Sequence, residues 1–263
     1  NNSGNEAVEL GFKMMRKYHA EAGHPERYRV ISVEGAFHGR SLACISSGRQ
    51  EKHTAGFGPL VDGFDQVAFG NMNEMRAAIT PETAGIVIEP VQGEGGIRPV
   101  DADYLKELRA VADEFGILLM YDEVQCGIGR TGKLYAHEWS GAAPDILASA
   151  KGLGGGFPIG ATLATEAVAD AMKAGSHGST FGGNPLAMAV GNAVGDVVLA
   201  DGFMDNVTAR AEQLANGLDA LVKKHPDILA GHRGMGLMQG LQCQGENGEN
   251  GTLVGKLMAG GLL

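Results

Sequence analysis

Apolar residues recur along this chain in two alternating rhythms. Short unbroken runs at Val30 to Val33, Gly85 to Ile88, Ile117 to Tyr121, Ile146 to Ala150 and Ala161 to Ala164 have the length and boundaries of buried strands. Between them lie stretches with a helical repeat. Val8, Phe12 and Met15, followed by Tyr18, form one apolar face running on from Asn2-Ser3-Gly4-Asn5-Glu6. Leu105, Leu108, Ala112 and Phe115 form another, started by Asp101 or Asp103 and stopped by Gly116. A helix of small residues is expected from Pro185 to about Leu199, and Phe203, Val207, Leu214, Leu218 and Leu221 mark one ended by His225-Pro226. Such alternation predicts an α/β fold with a mostly parallel sheet between helix layers. Gly35 to Gly70 has no clear period and reads as irregular, the kind of segment that often lines sites. Gly234 to Leu241 begins a smaller unit.

Chemistry enters where strands end. Of the ten lysines, Lys151 alone follows an apolar run of strand type, and Gly152-Leu153-Gly154-Gly155-Gly156 comes directly after it. An amine in a partly desolvated site there is a nucleophile for carbonyl carbon; the plainer reading is a lysine that snorkels from a sheet end. Ile117 to Tyr121 runs into Asp122-Glu123-Val124-Gln125. Ligands of open parallel sheets bind beyond the carboxyl ends of the strands, so Asp122 and Lys151 are expected to share a site. Pyridoxal phosphate wants this pair, a lysine for its aldehyde and a carboxylate for its ring nitrogen. Asp122 reads equally as a solvated carboxylate. At the first helix, Ser3-Gly4-Asn5 suits a phosphate at a helix N-terminus, while Ser3 with Glu6 also fits a capping box that needs no ligand.

Gly127-Ile128-Gly129-Arg130-Thr131-Gly132-Lys133-Leu134 imitates nucleotide motifs. Leu134 replaces the Ser or Thr of a P-loop, and the glycines do not follow their strand directly as a dinucleotide fingerprint requires. A nucleotide-binding protein using Gly127 to Lys133 is nevertheless the alternative of another class.

The order of motifs resembles the class III pyridoxal-phosphate aminotransferases. The resemblance rests on Ser3-Gly4-Asn5-Glu6-Ala7, Phe37-His38-Gly39-Arg40, Glu89-Pro90-Val91-Gln92-Gly93-Glu94-Gly95-Gly96, Asp122 to Gln125, Ala150 to Gly156, and Gly175 to Pro185. Within that family it is nearest the acetylornithine branch. The resemblance implies fold type I of the pyridoxal-phosphate transferases. It also implies transfer of the terminal amino group of N2-acetylornithine to 2-oxoglutarate, with ornithine, succinylornithine or 4-aminobutyrate as alternative donors.

The roles it implies fall on matched positions. Lys151 would hold the cofactor and move the proton; Asp122 would pair with the ring nitrogen. Gln125 would reach the phenolic side, within the cofactor-binding run Asp122, Glu123, Val124 and Gln125. Phe37, otherwise an ordinary core residue, would stack on the ring. Gly4 and Asn5 would hold the phosphate by backbone N–H groups, and Thr180 would reach the phosphate in a neighbouring subunit, making a homodimer with shared sites. Arg40, otherwise an unremarkable surface arginine, would grip the substrate carboxylate, Ser179 would contact the donor, and Glu94 would act as a gate. The chain has no arginine placed to pair with Glu94, since Arg233 lies in a strand signature.

The division expected is residues 1–199 as a large cofactor-binding domain and 200–263 as a linking helix and the start of a small C-terminal domain. The absent initiating methionine, the start inside a phosphate motif, and an apolar end at Ala259 to Leu263 with no closing helix suggest a piece of a longer enzyme, inactive or weakly active alone. A net charge of −10 with no basic run argues against nucleic acid, and no long apolar span suggests a membrane helix. The three cysteines lack metal-ligand spacing and fit a reducing, cytoplasmic compartment. No metal site is expected.

Overall fold

The computed structural model describes residues 1–244 and 250–262. Its elements run α1 (Gly4–Glu21), β1 (Arg29–Val33), α2 (Leu42–Gly48), α3 (Glu51–Thr54), β2 (Phe64–Val67), α4 (Met72–Ala78), β3 (Thr83–Ile88), β4 (Val91–Gln92), β5 (Arg98–Pro99), α5 (Ala102–Phe115) and β6 (Leu118–Asp122). Then come β7 (Ile146–Ser149), β8 (Ala161–Ala164), α6 (Glu166–Ala169), α7 (Pro185–Val198), α8 (Phe203–Lys224), β9 (Leu229–Met235), β10 (Met238–Cys243) and α9 (Asn250–Ala259).

A six-stranded sheet in the order β2-β1-β3-β6-β7-β8 forms the centre. All its pairings are parallel except the last, β7 with β8. Helices cover both faces, as the alternation of patterns requires. On one face α1 lays Ala7, Val8, Phe12 and Met15 against Val30, Val87, Leu118, Met120, Ile146 and Ala148. On the other, Tyr104, Leu105, Leu108 and Ala112 of α5, with Met75 of α4, pack on Ile31, Val33, Ile86, Ile88, Leu119 and Tyr121. Side chains of a strand alternate between faces, so Leu118 and Met120 point to α1 while Leu119 and Tyr121 point to α5. Gly11 brings α1 close to the sheet: a Cβ there would lie 2.5 Å from the Met120 side chain.

Two local expectations need correction. Gly35 to Gly70 is not irregular throughout, since it holds α2, α3 and the edge strand β2. Phe64-Asp65-Gln66-Val67 is too short and too polar to announce itself; an edge strand needs only Phe64 and Val67 to bury. The end of the chain does contain a helix, α9, in which Leu253, Val254, Leu257 and Met258 recur at helical spacing before Gly260-Gly261 stops it. The short ribbon β4–β5 also escapes the pattern because each strand has two residues. Gly234 to Leu241 falls in the antiparallel hairpin β9–β10. It is pinned over the glycine-rich loop by Leu237 N–H to Arg130 O (2.9 Å) and to the β4–β5 turn by Arg233 Nε to Gly96 O (2.7 Å).

Candidate active site

Four neighbouring strands, β1, β3, β6 and β7, deliver their carboxyl ends to one place. There, with the first turn of α1, they wall a cavity of about 720 Å³. Its lining includes Gly4, Asn5, Phe37, Arg40, Glu94, Asp122, Val124, Gln125 and Lys151, so nine of the positions expected from sequence are brought together.

Strand parity explains the carboxylates. Asp122 follows Leu118 and Met120 onto the α1 face, and Glu89 follows Val87. Asp122 is 3% exposed. Its Oδ2 accepts from His38 Nδ1 at 2.8 Å, and its Oδ1 accepts from Val124 N–H at 3.1 Å. Burial alone would favour neutral His38, but the Asp122 hydrogen bond, the Asp122 charge and the charge of Glu89 outweigh it, and the imidazole pKa is raised. Glu89 accepts from Phe37 N–H at 3.0 Å; burial chiefly, opposed by His38 and reinforced by Asp122, pushes its carboxyl up to about 7.

Glu123 takes the opposite parity, which corrects its expected place among the cofactor contacts. It does not line the cavity; its fully buried carboxylate accepts from Ala136 N–H (2.6 Å), His137 N–H (2.8 Å) and His137 Nδ1 (2.8 Å). It anchors the loop after β6 from behind.

Lys151 follows the buried residues Ile146 to Ala150 and opens a 3-10 turn. Its backbone is left-handed, with φ of 43°, a strained conformation outside glycine. The glycines after it let the chain turn so sharply that the side chain enters the cavity. Lys151 is more exposed than a partly desolvated amine was expected to be.

The helix N-terminus is capped by its own side chains, and its first residues also line the cavity. Ser3 Oγ caps α1 by accepting from Glu6 N–H at 3.2 Å, while Glu6 Oε2 reaches back to Asn2 N–H at 2.7 Å. The N–H groups of Gly4 and Asn5 begin the helix, where no preceding turn supplies carbonyls, and both residues line the cavity. The Asn5 side chain is otherwise engaged: its Oδ1 accepts from Arg40 N–H (2.7 Å) and Ser41 N–H (2.9 Å). This clamp fixes the Phe37–Arg40 turn, and Gly39, at φ of 127°, allows it, because a Cβ there would sit 2.1 Å from Asn5 Oδ1. Arg40 holds its guanidinium 5.5 Å from the Phe37 ring centre.

Ser179 and Thr180 do not line this cavity. Their segment is tied to α1 by Asn2 Nδ2 to Ser179 Oγ (3.0 Å) and Lys13 Nζ to Ser176 O (3.1 Å), leaving Thr180 exposed. Glu94 faces Lys52 at 3.9 Å, a cation that sequence reading did not connect with it. His38 and Glu89 were also missed as working parts. The strand parity that places Glu89 could have found it, whereas nothing in spacing joins His38 to Asp122.

The loop Gly127 to Lys133 is no phosphate cradle. Its N–H groups turn inward, Gly129 to Leu134 O (3.1 Å) and Gly132 to Gly129 O (3.1 Å), and Lys133 stacks on Trp139 at 4.6 Å. The nucleotide alternative fails on this geometry.

Residues 1–263 match the family model described as aminotransferase class-III. The chain belongs to the class III aminotransferases. It is 63% identical over 242 residues to an acetylornithine aminotransferase of Mesorhizobium japonicum, covering 92% of this chain and 61% of that protein. Among solved structures it resembles an N-acetylornithine aminotransferase from Stenotrophomonas maltophilia (TM-score 0.84, 33% identity, 100% of this chain and 64% of that one). It also resembles an ornithine aminotransferase from Toxoplasma gondii described with partial occupancy of PLP at its active site (TM-score 0.89, 33% identity, 100% and 63%). The chain spans 60 to 61% of the length of the first curated relatives it matches.

Pyridoxal phosphate fits the residues present. The cavity offers a nucleophilic amine, a buried carboxylate, an aromatic face and a helix N-terminus, and Gln125 Oε1 is buried with no hydrogen-bond partner among the described residues.

Proposed function

We propose that this chain forms the pyridoxal-phosphate-binding part of an aminotransferase that moves the terminal amino group of N2-acetylornithine to 2-oxoglutarate. The products are N-acetylglutamate semialdehyde and glutamate. The observation that carries the reading is Lys151 and Asp122 lining one cavity from the ends of adjacent strands. The names of the similar proteins support the choice of donor, and the same reading sets the enzyme in arginine biosynthesis, in the cytoplasm.

Bound pyridoxal phosphate supplies an aldehyde carbon that exchanges amines and a ring that draws electrons from the substrate carbon. Lys151 Nζ would hold the cofactor and carry the proton at the reacting carbon. The Asp122 carboxylate would accept a hydrogen bond from the ring nitrogen, with the His38 ring and Val124 N–H fixing its plane. Phe37 would cover one ring face and Gln125 would meet the phenolic oxygen. Gly4 and Asn5 N–H groups would hold the phosphate at the positive end of α1. The exposed Arg40 fork suits a substrate carboxylate, and Glu94 beside Lys52 stands where it would screen that charge.

Residues 1–199 would be the large domain and 200–263 the link to a small one, whose residues 245–249 and 263 lie outside those described. A homodimer is part of the proposal. Thr180 is exposed on a segment tied to α1, and Phe181, Leu186, Val197 and Leu199 nearby are each at least 60% exposed. That apolar face suits a second copy.

The test uses the full-length protein. Lys151→Ala is expected to abolish both the absorbance of lysine-bound cofactor and amino transfer; an unchanged spectrum would reject the assignment. A panel of acetylornithine, ornithine, succinylornithine and 4-aminobutyrate decides the donor, with acetylornithine expected to have the highest kcat/KM.

A further inference from the structure

Two pieces of chain far apart in sequence meet over the mouth of the cavity. The short helix α3 is tied to the turn after β1 by Gln50 Nε2 donating to Ala36 O at 2.7 Å, and its His53 ring meets Phe37 edge-on at 5.4 Å. The β4–β5 ribbon is tied to the same turn, since Gln92 Nε2 and Arg98 Nη2 both donate to Glu34 O, at 3.0 and 2.8 Å. Gly95 lets the ribbon lie close, because a Cβ there would sit 2.8 Å from Gly35 O. From these two supports Lys52 and Glu94 face one another at 3.9 Å. Glu94 lines the cavity together with Arg40, whereas Lys52 stands outside the lining.

We propose that Lys52 is a positioning residue that sets substrate preference: by drawing the Glu94 carboxylate to itself, it leaves Arg40 free to hold a dicarboxylate. Charge gives the reason. An N-acetylated diamino acid carries one carboxylate and one ammonium and is neutral overall, whereas an oxo diacid carries two negative charges. An anion fixed at the mouth repels the diacid far more than the neutral donor, and competes with it for Arg40. A cation beside that anion cancels much of the repulsion without adding a group to the cavity. This role rests on the function proposed above and names what at the cavity mouth selects the second substrate.

No neighbouring cation replaces Lys52. Among the described residues Glu94 has no second ion pair. Arg233 grips the same turn, but through Gly96 O at 2.7 Å, and Arg98 is engaged by Gln92 and Glu34 O. Burial first, then the charges of Arg40 and Lys52, holds the His53 pKa below its ordinary value, so that ring is neutral at neutral pH. Lys52 and Glu94 are both exposed, so solvent and salt weaken the pair and limit its effect to a few-fold.

The test uses the full-length protein with pyridoxal phosphate bound and two probes that cannot react, glutarate and pentanoate, titrated by calorimetry at low salt. Wild type is expected to prefer glutarate. Lys52→Gln should weaken glutarate by about threefold and pentanoate by less, and the loss should shrink in about 0.5 M salt. Lys52→Arg should restore the wild-type ratio. In a Glu94→Gln background Lys52→Gln should have no further effect, because its partner charge is gone. A wild type that binds neither probe or shows no preference, or a ratio unaltered by Lys52→Gln, would overturn the proposal. So would a loss that persists in full without Glu94, since the lysine would then act on the diacid itself.

In turnover, Lys52→Gln should raise KM for 2-oxoglutarate by about the same threefold factor with kcat changed less, a split that a general loosening of the site would not give. Probe binding that follows this pattern in a protein that moves no amino group would uphold the role of Lys52 and defeat the functional reading. Normal amino transfer with identical probe ratios in every variant would defeat the role of Lys52 alone.

Discussion

Asn5 shows how much of a site depends on side chains that touch no ligand. Its carboxamide oxygen accepts two backbone N–H groups of the turn that carries Phe37 and Arg40. Asn5→Ala would leave both donors unpaired, at a cost of about 1 to 3 kcal/mol, and would lower cofactor affinity as the turn loosens. Thermal unfolding and an absorbance titration check the two effects separately. Glu89 gives a residue-scale prediction with a definite sign. A carboxyl whose pKa is raised on folding binds more protons folded than unfolded, so stability falls as pH rises from about 4.5 towards 7. His38, also raised, adds a fall at higher pH, because its contribution is complete below its unfolded value and lost above its folded one. Urea unfolding of the cofactor-free protein from pH 5 to 8 should show a steady decline, shallower in Glu89→Gln. A flat profile would contradict the burial of an ionisable carboxyl there. At this scale the sequence was legible where a residue ends a strand, as with Lys151 and Asp122. It was silent for His38 and Lys52, whose partners are set by loop packing. It misplaced Glu123, because a strand ending in two acids presents them to opposite faces and only one face has the cavity.

Elements were read best where burial imposes a period. The helix α5 begins and ends at the expected residues, since Asp101 Oδ1 accepts from Asp103 N–H at 2.8 Å and Gly116 adopts a left-handed stop at φ of 61°. Asp101→Ala should therefore destabilise the fold by about 1 kcal/mol, seen as a lower unfolding midpoint with catalysis unchanged. Strand β2 and the ribbon β4–β5 were invisible because edge and two-residue strands need no apolar run. In the proposed function the helix α1 matters most, because its packing against β6 brings Gly4 and Asn5 to the cavity that Asp122 lines. Gly11→Val would drive a side chain into Met120 and lift the helix. Both a loss of stability of about 1 to 3 kcal/mol and weaker cofactor binding should follow; loss of stability alone would mean that α1 does not set the phosphate position.

The whole molecule sets the conditions for all of this. Parallel strands deliver their ends to one side of the sheet, so four loops distant in sequence meet there, and α/β alternation made that side predictable. What alternation could not reveal is the face proposed to meet a second copy. The exposed apolar residues of α7 suit a second copy, and Val197→Asp in the full-length protein is expected to shift the sedimenting species from dimer towards monomer with loss of cofactor. A persistent dimer would place the interface elsewhere. The central claim, that the Lys151 amine and the Asp122 carboxylate grip one cofactor, is tested most directly by borohydride reduction. The full-length protein is incubated with pyridoxal phosphate, reduced, digested and mapped by peptide mass spectrometry. The account predicts a single pyridoxyl group on Lys151, retained at lower occupancy in Asp122→Asn; modification of other lysines with Lys151 left bare would contradict it.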